Sequence, residues 1–217
     1  MGFPVGRINL LVKSAILHDI GALKLQQLPD AEDLDDGTKE VVKKNTQETL
    51  DQYGDLDEEV LRLITQMQEL YTRESDAEIP AGLKESVNAN ILYVADAYDR
   101  MTAMKSFEEP TSEVKAVREL LADEERYNKK IVNALIHGIS ILYPGVCVEL
   151  SNGEKGLVIT GNEENIFEPT VLDFRNNNLY DLSDPSVKQT VEIADVMKTM
   201  DNRIKLDKSL LEEYQAN

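Results

Sequence analysis

The first two thirds of the chain have hydrophobic residues at helical spacing. Residues 57–71 are the clearest case, because their apolar side chains recur every three or four positions. Residues 10–18 are almost continuously apolar, with polar interruptions at Lys13 and Ser14, which predicts a buried helix. Pro80 is expected to break the chain between helices. The predicted helices cover residues 10–18, 39–53, 57–71, 87–104, 113–121 and 127–142.

The pattern changes at Pro144. Residues 146–150 and 156–159 are two apolar runs separated by a turn sequence, which predicts a β-hairpin. The remaining predicted elements are short strands at 170–174, 179–182 and 189–193 and a closing helix at 205–214. The sequence therefore predicts a mainly α protein, with a helical domain over residues 1–143 and a small β-rich appendage over residues 144–217.

Composition narrows the classes of partner and the compartment. The 217 residues carry a net charge of −18, which repels nucleic acid backbones and anionic lipid. No apolar run reaches the length of about 18 residues that a membrane helix needs. The single cysteine, Cys147, cannot form an internal disulfide, which favours a reducing compartment. We expect a cytoplasmic protein that binds neither nucleic acid nor membrane.

Two short segments contain residues that could bind a metal. His18 and Asp19 are adjacent at the end of an apolar helix, and imidazole nitrogen and carboxylate oxygen are ligands for iron, manganese or zinc. Asp96 lies inside another apolar helix, where a carboxylate is costly to bury unless a metal or cation neutralises it. Asp99 follows three residues later on a similar face. The alternatives are a hydrogen-bonded core histidine and an aspartate that binds a neighbouring helix.

Three motifs in order resemble the HD-GYP branch of the HD phosphohydrolases. They are AILHDIG at residues 15–21, ILYVADAYDRMT at 91–102 and YPGVCVELSNGEKGLVI at 143–159. The resemblance implies an HD-type helical bundle followed by the β-rich subdomain. It also implies a metal site at His18, Asp19 and Asp96. Active members of the family use two or three iron or manganese ions to hydrolyse the bacterial second messenger cyclic di-GMP.

The sequence also departs from the family pattern. Asn45 stands where the family has a further histidine, and residues 66–69 (QMQE) stand where it has two adjacent histidines. No histidine occurs between His18 and His137, and His137 is interpreted as a core or surface residue. Only 17 residues precede His18, so the family's usual first helix is missing. The chain is expected to be a degenerate, N-terminally truncated member.

These departures lead to three functional hypotheses. The leading one is a non-catalytic signalling module that acts through a protein partner, an upstream sensor domain or a ligand. Such a module could also form a homo-oligomer. The alternative is a cyclic di-GMP phosphodiesterase with an altered ligand set, in which Asn45, Gln66 or Glu69 helps to hold one weakly bound manganese or iron ion. The third is a receptor that binds cyclic di-GMP without cleaving it. Its candidate phosphate contacts are Arg100, Lys105 and Arg73.

Overall fold

The computed structural model describes residues 2–25, 35–53, 56–71, 80–104 and 109–197. Its helices are α1 Val5–Leu17, a 3-10 helix Ile20–Lys24, α2 Asp36–Gln52, α3 Glu58–Tyr71, α4 Ala81–Glu85, α5 Val87–Thr102, α6 Glu113–Ala122, α7 Lys129–Ile139 and α8 Pro185–Lys188. Its strands are β1 Cys147–Leu150, β2 Lys155–Thr160, β3 Thr170–Asp173, β4 Leu179–Asp181 and β5 Ile193–Val196. The predicted fold class, a mainly helical chain with a small β-rich C-terminal part, is confirmed. The predicted helix at 205–214 lies outside the described residues.

The chain separates into two compact units. The first, the helical unit, comprises Met1–Pro110 and Leu120–Val132. The second, the sheet unit, comprises Thr111–Glu119 and Asn133–Asn217. Among the described residues, no helix combines the length and the apolar character needed to cross a membrane.

Helices α1, α3 and α5 pack against one another in the helical unit, and the 3-10 helix packs against α2. This packing follows from the periodic apolar positions of α3 and α5, which turn one face inward. The fully or nearly fully buried side chains of these two helices include Val60, Leu63, Ile64, Met67, Leu70, Ala89, Leu92, Tyr93, Val94 and Ala97. The buried faces of α3 and α5 therefore form the core on which α1, the helix that precedes His18, packs, and α5 itself carries Asp96.

Helix α1 differs from the prediction of a buried helix. Only Ser14 of α1 is buried, while Val5, Ile8, Val12 and Ile16 are 73%, 46%, 52% and 69% exposed. The reason is that, within the described residues, α1 packs mainly on α3 and α5, which leave part of its apolar surface uncovered. An apolar run shows that a segment is hydrophobic, but it does not show how many sides are covered.

Helix α5 was predicted with the correct position and a partly incorrect inward face. It ends at Thr102, and Ala95, predicted inward, is exposed. Tyr93, which was not assigned to the core, is only 2% exposed because it stacks on Tyr127 with ring centroids 5.4 Å apart. Pro80 does more than break the chain, since it stands at the N-cap of the short helix α4.

The sheet unit contains one antiparallel sheet with strand order β4-β3-β2-β1-β5. The predicted β1–β2 hairpin is confirmed, with Val148 opposite Gly156. The strand predicted at 189–193 was misplaced, because β5 begins at Ile193 and α8 precedes it. Asp184 caps α8 by accepting a hydrogen bond from the Ser186 amide at 2.8 Å, and Pro185 occupies a first-turn position.

Candidate functional site

The end of α1 places His18 at the centre of the site. Leu17 is the last residue of α1, and the chain then turns into the 3-10 helix. This turn is held against α2, because the Gly21 amide donates to Thr46 Oγ1 at 3.0 Å and Asn45 Nδ2 donates to the Gly21 carbonyl at 3.4 Å. These contacts hold the turn that follows His18 against α2.

Asp96 on α5 is the carboxylate that reaches His18. Its Oδ1 lies 3.3 Å from His18 Nε2, and its Oδ2 lies 3.0 Å from a terminal guanidinium nitrogen of Arg100. The Arg100 guanidinium also lies 4.3 Å from the centre of the Tyr71 ring. The Asp96 side chain is 17% exposed, so both of its oxygens interact with cationic or hydrogen-bonding groups in a partly buried position. We call these three side chains, His18, Asp96 and Arg100, the charge cluster.

Asp19 does not join His18 and Asp96 at a common point. Its Oδ1 lies 3.9 Å from His18 Nδ1, and its side chain is 65% exposed. His18 Nδ1 is also 2.7 Å from the Ala15 carbonyl oxygen. Because the two ring nitrogens face in different directions, the carboxylates of Asp19 and Asp96 lie beside different parts of the imidazole. Within the described ranges, no three His, Cys, Asp or Glu side chains are arranged to hold a metal ion.

Of the residues suggested as substitute ligands, Asn45 and Gln66 make structural contacts instead, and so does the neighbouring Gln68. Gln68, which is 4% exposed, donates from Nε2 to the His18 carbonyl at 2.7 Å. Gln66 accepts a hydrogen bond from the Ser86 hydroxyl at 2.9 Å, and Glu69 is exposed. Asn45 binds the Gly21 carbonyl, as described above. These residues do not extend His18 and Asp96 into a metal-ligand set, so the arrangement does not fit a metal centre.

The other predicted candidates fall into three groups. Arg100 lies at the site, but in contact with Asp96; its spacing of four residues from Asp96 on one helix was the sequence signal for this pair. Asp99 and His137 are exposed. Lys105 and Arg73 lie outside the described residues. The sequence reasoning missed Gln68 and Thr46 as the side chains that hold the backbone around His18, because amide and hydroxyl residues carry no distinctive pattern.

The pKa of His18 is shifted by its surroundings. Burial by itself lowers this pKa, but the hydrogen bond with Asp96, the negative charges of Asp19 and Asp96 and the Ala15 carbonyl together raise it above the ordinary value of 6.5. The protonated imidazole is therefore the form that the folded protein stabilises. A protonated His18 can donate from Nε2 to Asp96 and from Nδ1 to Ala15 at the same time.

This shift predicts that the stabilising contribution of His18 decreases as the pH rises. The folded-state pKa lies above the unfolded value of about 6.5, so the contribution is fully present below that pH and is lost as the pH passes the folded value. Urea unfolding of the wild type and of His18→Ala between about pH 5.5 and 8.5, with EDTA present, measures it. We expect the difference in unfolding free energy to shrink with pH, whereas a constant or growing difference contradicts the assignment. His137→Ala is the control, because His137 is exposed.

Comparison with known protein families gives a match for part of the chain. Residues 5–101 match the HD domain family, a match that covers slightly less than half of the chain and includes His18 and Asp96. It supports assignment of this segment to the HD superfamily, whose domains generally bind divalent metals. No curated protein matches the chain with significance.

Proposed function

We propose that this protein is a cytoplasmic signalling module that keeps an HD-GYP-like helical fold and works by binding a partner or ligand rather than by hydrolysis. The proposal rests on the contacts that Asp96 makes within the charge cluster. Asp96 interacts with His18 through one oxygen and with Arg100 through the other. The positive charge that a metal ion would supply to this carboxylate is supplied by the protein's own side chains.

Hydrolysis of a phosphodiester by a metal centre needs ions that activate a water and neutralise the phosphate charge. Two such ions require several converging donors, usually imidazole and carboxylate groups. Here Asn45 stands where the resembled family has a histidine, and Gln68 lies within residues 66–69, where the family has two; both amides donate to backbone carbonyls. These two side chains hold the turn after α1 in place. This favours a retained scaffold over an altered catalytic site.

The proposed module needs a means of receiving or passing on a signal. An upstream sensor domain or a protein partner is the kind of partner that we propose, and cyclic di-GMP is the ligand that the resemblance suggests. Cyclic di-GMP binding without cleavage would make the protein a receptor. The phosphodiesterase alternative rests on the close approach of His18 and Asp96, which are the two HD-type donors that the fold does bring together.

Elemental mass spectrometry and a hydrolysis assay on the same preparation test the proposal. We expect protein purified without chelator to carry well under one equivalent of iron or manganese per chain, and no cleavage of cyclic di-GMP after either metal is added. The expectation follows because the donors of the site are already engaged and do not converge.

The two histidines provide matched variants for this test. Near-stoichiometric metal that is lost in His18→Ala but kept in His137→Ala, together with cyclic di-GMP cleavage that follows the metal, would establish the enzyme alternative. Thermal stabilisation of the metal-free wild type by cyclic di-GMP, with no product formed, would support the receptor form of the proposal.

A further inference from the structure

The helical unit contains a cleft whose lining includes neither His18 nor Asp96. Its volume is about 260 Å³, and the side chains that matter for its chemistry come from three helices or their ends. They are Arg7 of α1, Arg62 and Gln66 of α3, and Ser86 and Asn88 at the start of α5. We call this the Arg7–Arg62 cleft. Two guanidinium groups on one cleft stand out in a chain with a net charge of −18.

Arg7 is held in a fixed orientation at this cleft. Its Nε donates to Asn88 Oδ1 at 2.8 Å, and its guanidinium carbon lies 3.9 Å from the centre of the Phe3 ring. The hydrogen bond is to a neutral amide, so it orients the guanidinium without neutralising its charge. A guanidinium that is already oriented loses less conformational freedom when it binds an anion.

Arg62 is the second cation of the cleft. In the part of the chain that the structure describes, it forms no ion pair, although Glu59 one turn earlier on α3 also lines the cleft. Its side chain is exposed and free to turn toward a ligand. Arg7 and Arg62 therefore present two positive charges from different helices against the single negative charge of Glu59, which leaves the cleft net positive and suited to an oxyanion.

The start of α5 adds hydrogen-bond donors to the same cleft. Ser86 occupies the N-cap position, but its hydroxyl donates to Gln66 and its side chain makes no capping hydrogen bond. The first amides of α5 therefore keep their donor capacity where Val87 and Asn88 line the cleft. The positive end of the helix dipole reinforces the field of the two arginines.

We propose that the Arg7–Arg62 cleft binds the phosphate group of a small phosphorylated molecule. Its volume lies below the range of about 300–1,000 Å³ that is common for drug-sized ligands, so it suits a phosphate with a short substituent rather than a dinucleotide. The proposal is independent of whether the charge cluster binds metal.

Isothermal titration calorimetry on the full chain, in a buffer low in chloride, tests the site with inorganic phosphate and with glycerol 3-phosphate. We expect saturable binding of at least one of them by the wild type. Arg62→Gln should weaken this binding about tenfold or more, because it removes a charge-assisted contact, and Arg62→Lys should restore part of it. Lys13→Gln is the matched control, since it removes the same charge from exposed α1 surface that does not line the cleft.

The two probes also separate the possible sources of the phosphate. Tighter binding of glycerol 3-phosphate would identify a phosphate ester as the ligand, and tighter binding of inorganic phosphate would identify the free anion. The proposal is overturned if the wild type binds neither probe. It is equally overturned if Arg62→Gln and Lys13→Gln weaken binding to the same extent. Because Arg62 has no ion pair among the described residues, we expect its substitution to leave the fold intact, and circular dichroism checks this.

Discussion

Replacing Gly21 with alanine should destabilise the helical unit by about 3 kcal/mol. A β-carbon at this position would lie 2.3 Å from both the Thr46 amide nitrogen and the Val42 carbonyl oxygen, and 2.6 Å from Thr46 Oγ1. The first two atoms belong to the backbone of α2, so no side-chain rotation can relieve the contact. The 3-10 helix would have to move away from α2, and the hydrogen bond from the Gly21 amide to Thr46 would be lost.

Urea unfolding followed by far-ultraviolet circular dichroism measures this effect. Gly6→Ala is the matched control, because Gly6 lies in α1 and a β-carbon there would meet nothing within 4 Å. Gly6 is the second residue of α1, so alanine there is expected to stabilise the protein by no more than about 0.5 kcal/mol relative to glycine. If Gly21→Ala were as stable as Gly6→Ala, the close packing of the 3-10 helix on α2 would be wrong.

The second large effect is expected at the charge cluster. Asp96→Ala should cost about 2 kcal/mol of stability, because it leaves the partly buried His18 and Arg100 without the carboxylate that both contact. The variant should retain its helical content, since alanine is favourable inside α5. Urea unfolding at a pH below about 6.5, where His18 is protonated, gives the clearest measurement.

Asp99→Ala provides the control for this change. Asp99 lies one turn further along α5 and is exposed, so its removal should change stability by no more than about 0.5 kcal/mol. A double-mutant cycle of His18→Ala with Asp96→Ala should show a coupling of about 1 kcal/mol. Equal effects of the two aspartate variants would mean that the charge cluster contributes nothing to folding, and the structural role proposed for it would have to be abandoned.

The sequence was informative about the type and order of the elements. The helix of residues 57–71 and the hairpin around residues 151–153 were predicted nearly residue by residue, because apolar periodicity and turn residues are local signals. The strand at 189–193 was misplaced, because Gln189 is the C-cap of α8 and β5 begins only at Ile193, and the mixed polar and β-branched residues of this run did not reveal either boundary. The exposure of α1 was also missed. Whether an apolar surface is covered depends on which other elements pack there.

At the candidate site, too, features encoded locally could be predicted from the sequence, whereas features that depend on tertiary packing could not. The family resemblance implied a site shared by His18 and Asp96, and in the structure His18 Nε2 lies 3.3 Å from Asp96 Oδ1. The position of Asp19, beside the opposite ring nitrogen of His18 from Asp96, could not be predicted, because adjacent residues at the end of a helix can point to different sides. The contacts of Gln68 and Asn45 with backbone carbonyls depend on the turn after α1, which no pattern in the sequence describes.

The strand order of the sheet has a consequence for aggregation. Its two outer strands are β4, with three residues, and β5, with four. Both contain an aspartate, and the one on β5, Asp195, binds Lys115 at 3.0 Å. Short, charged edges are poor templates for the addition of a further strand from another chain. Concentrated samples should therefore resist growth into cross-β fibrils even though the interior strands are rich in valine, leucine and isoleucine.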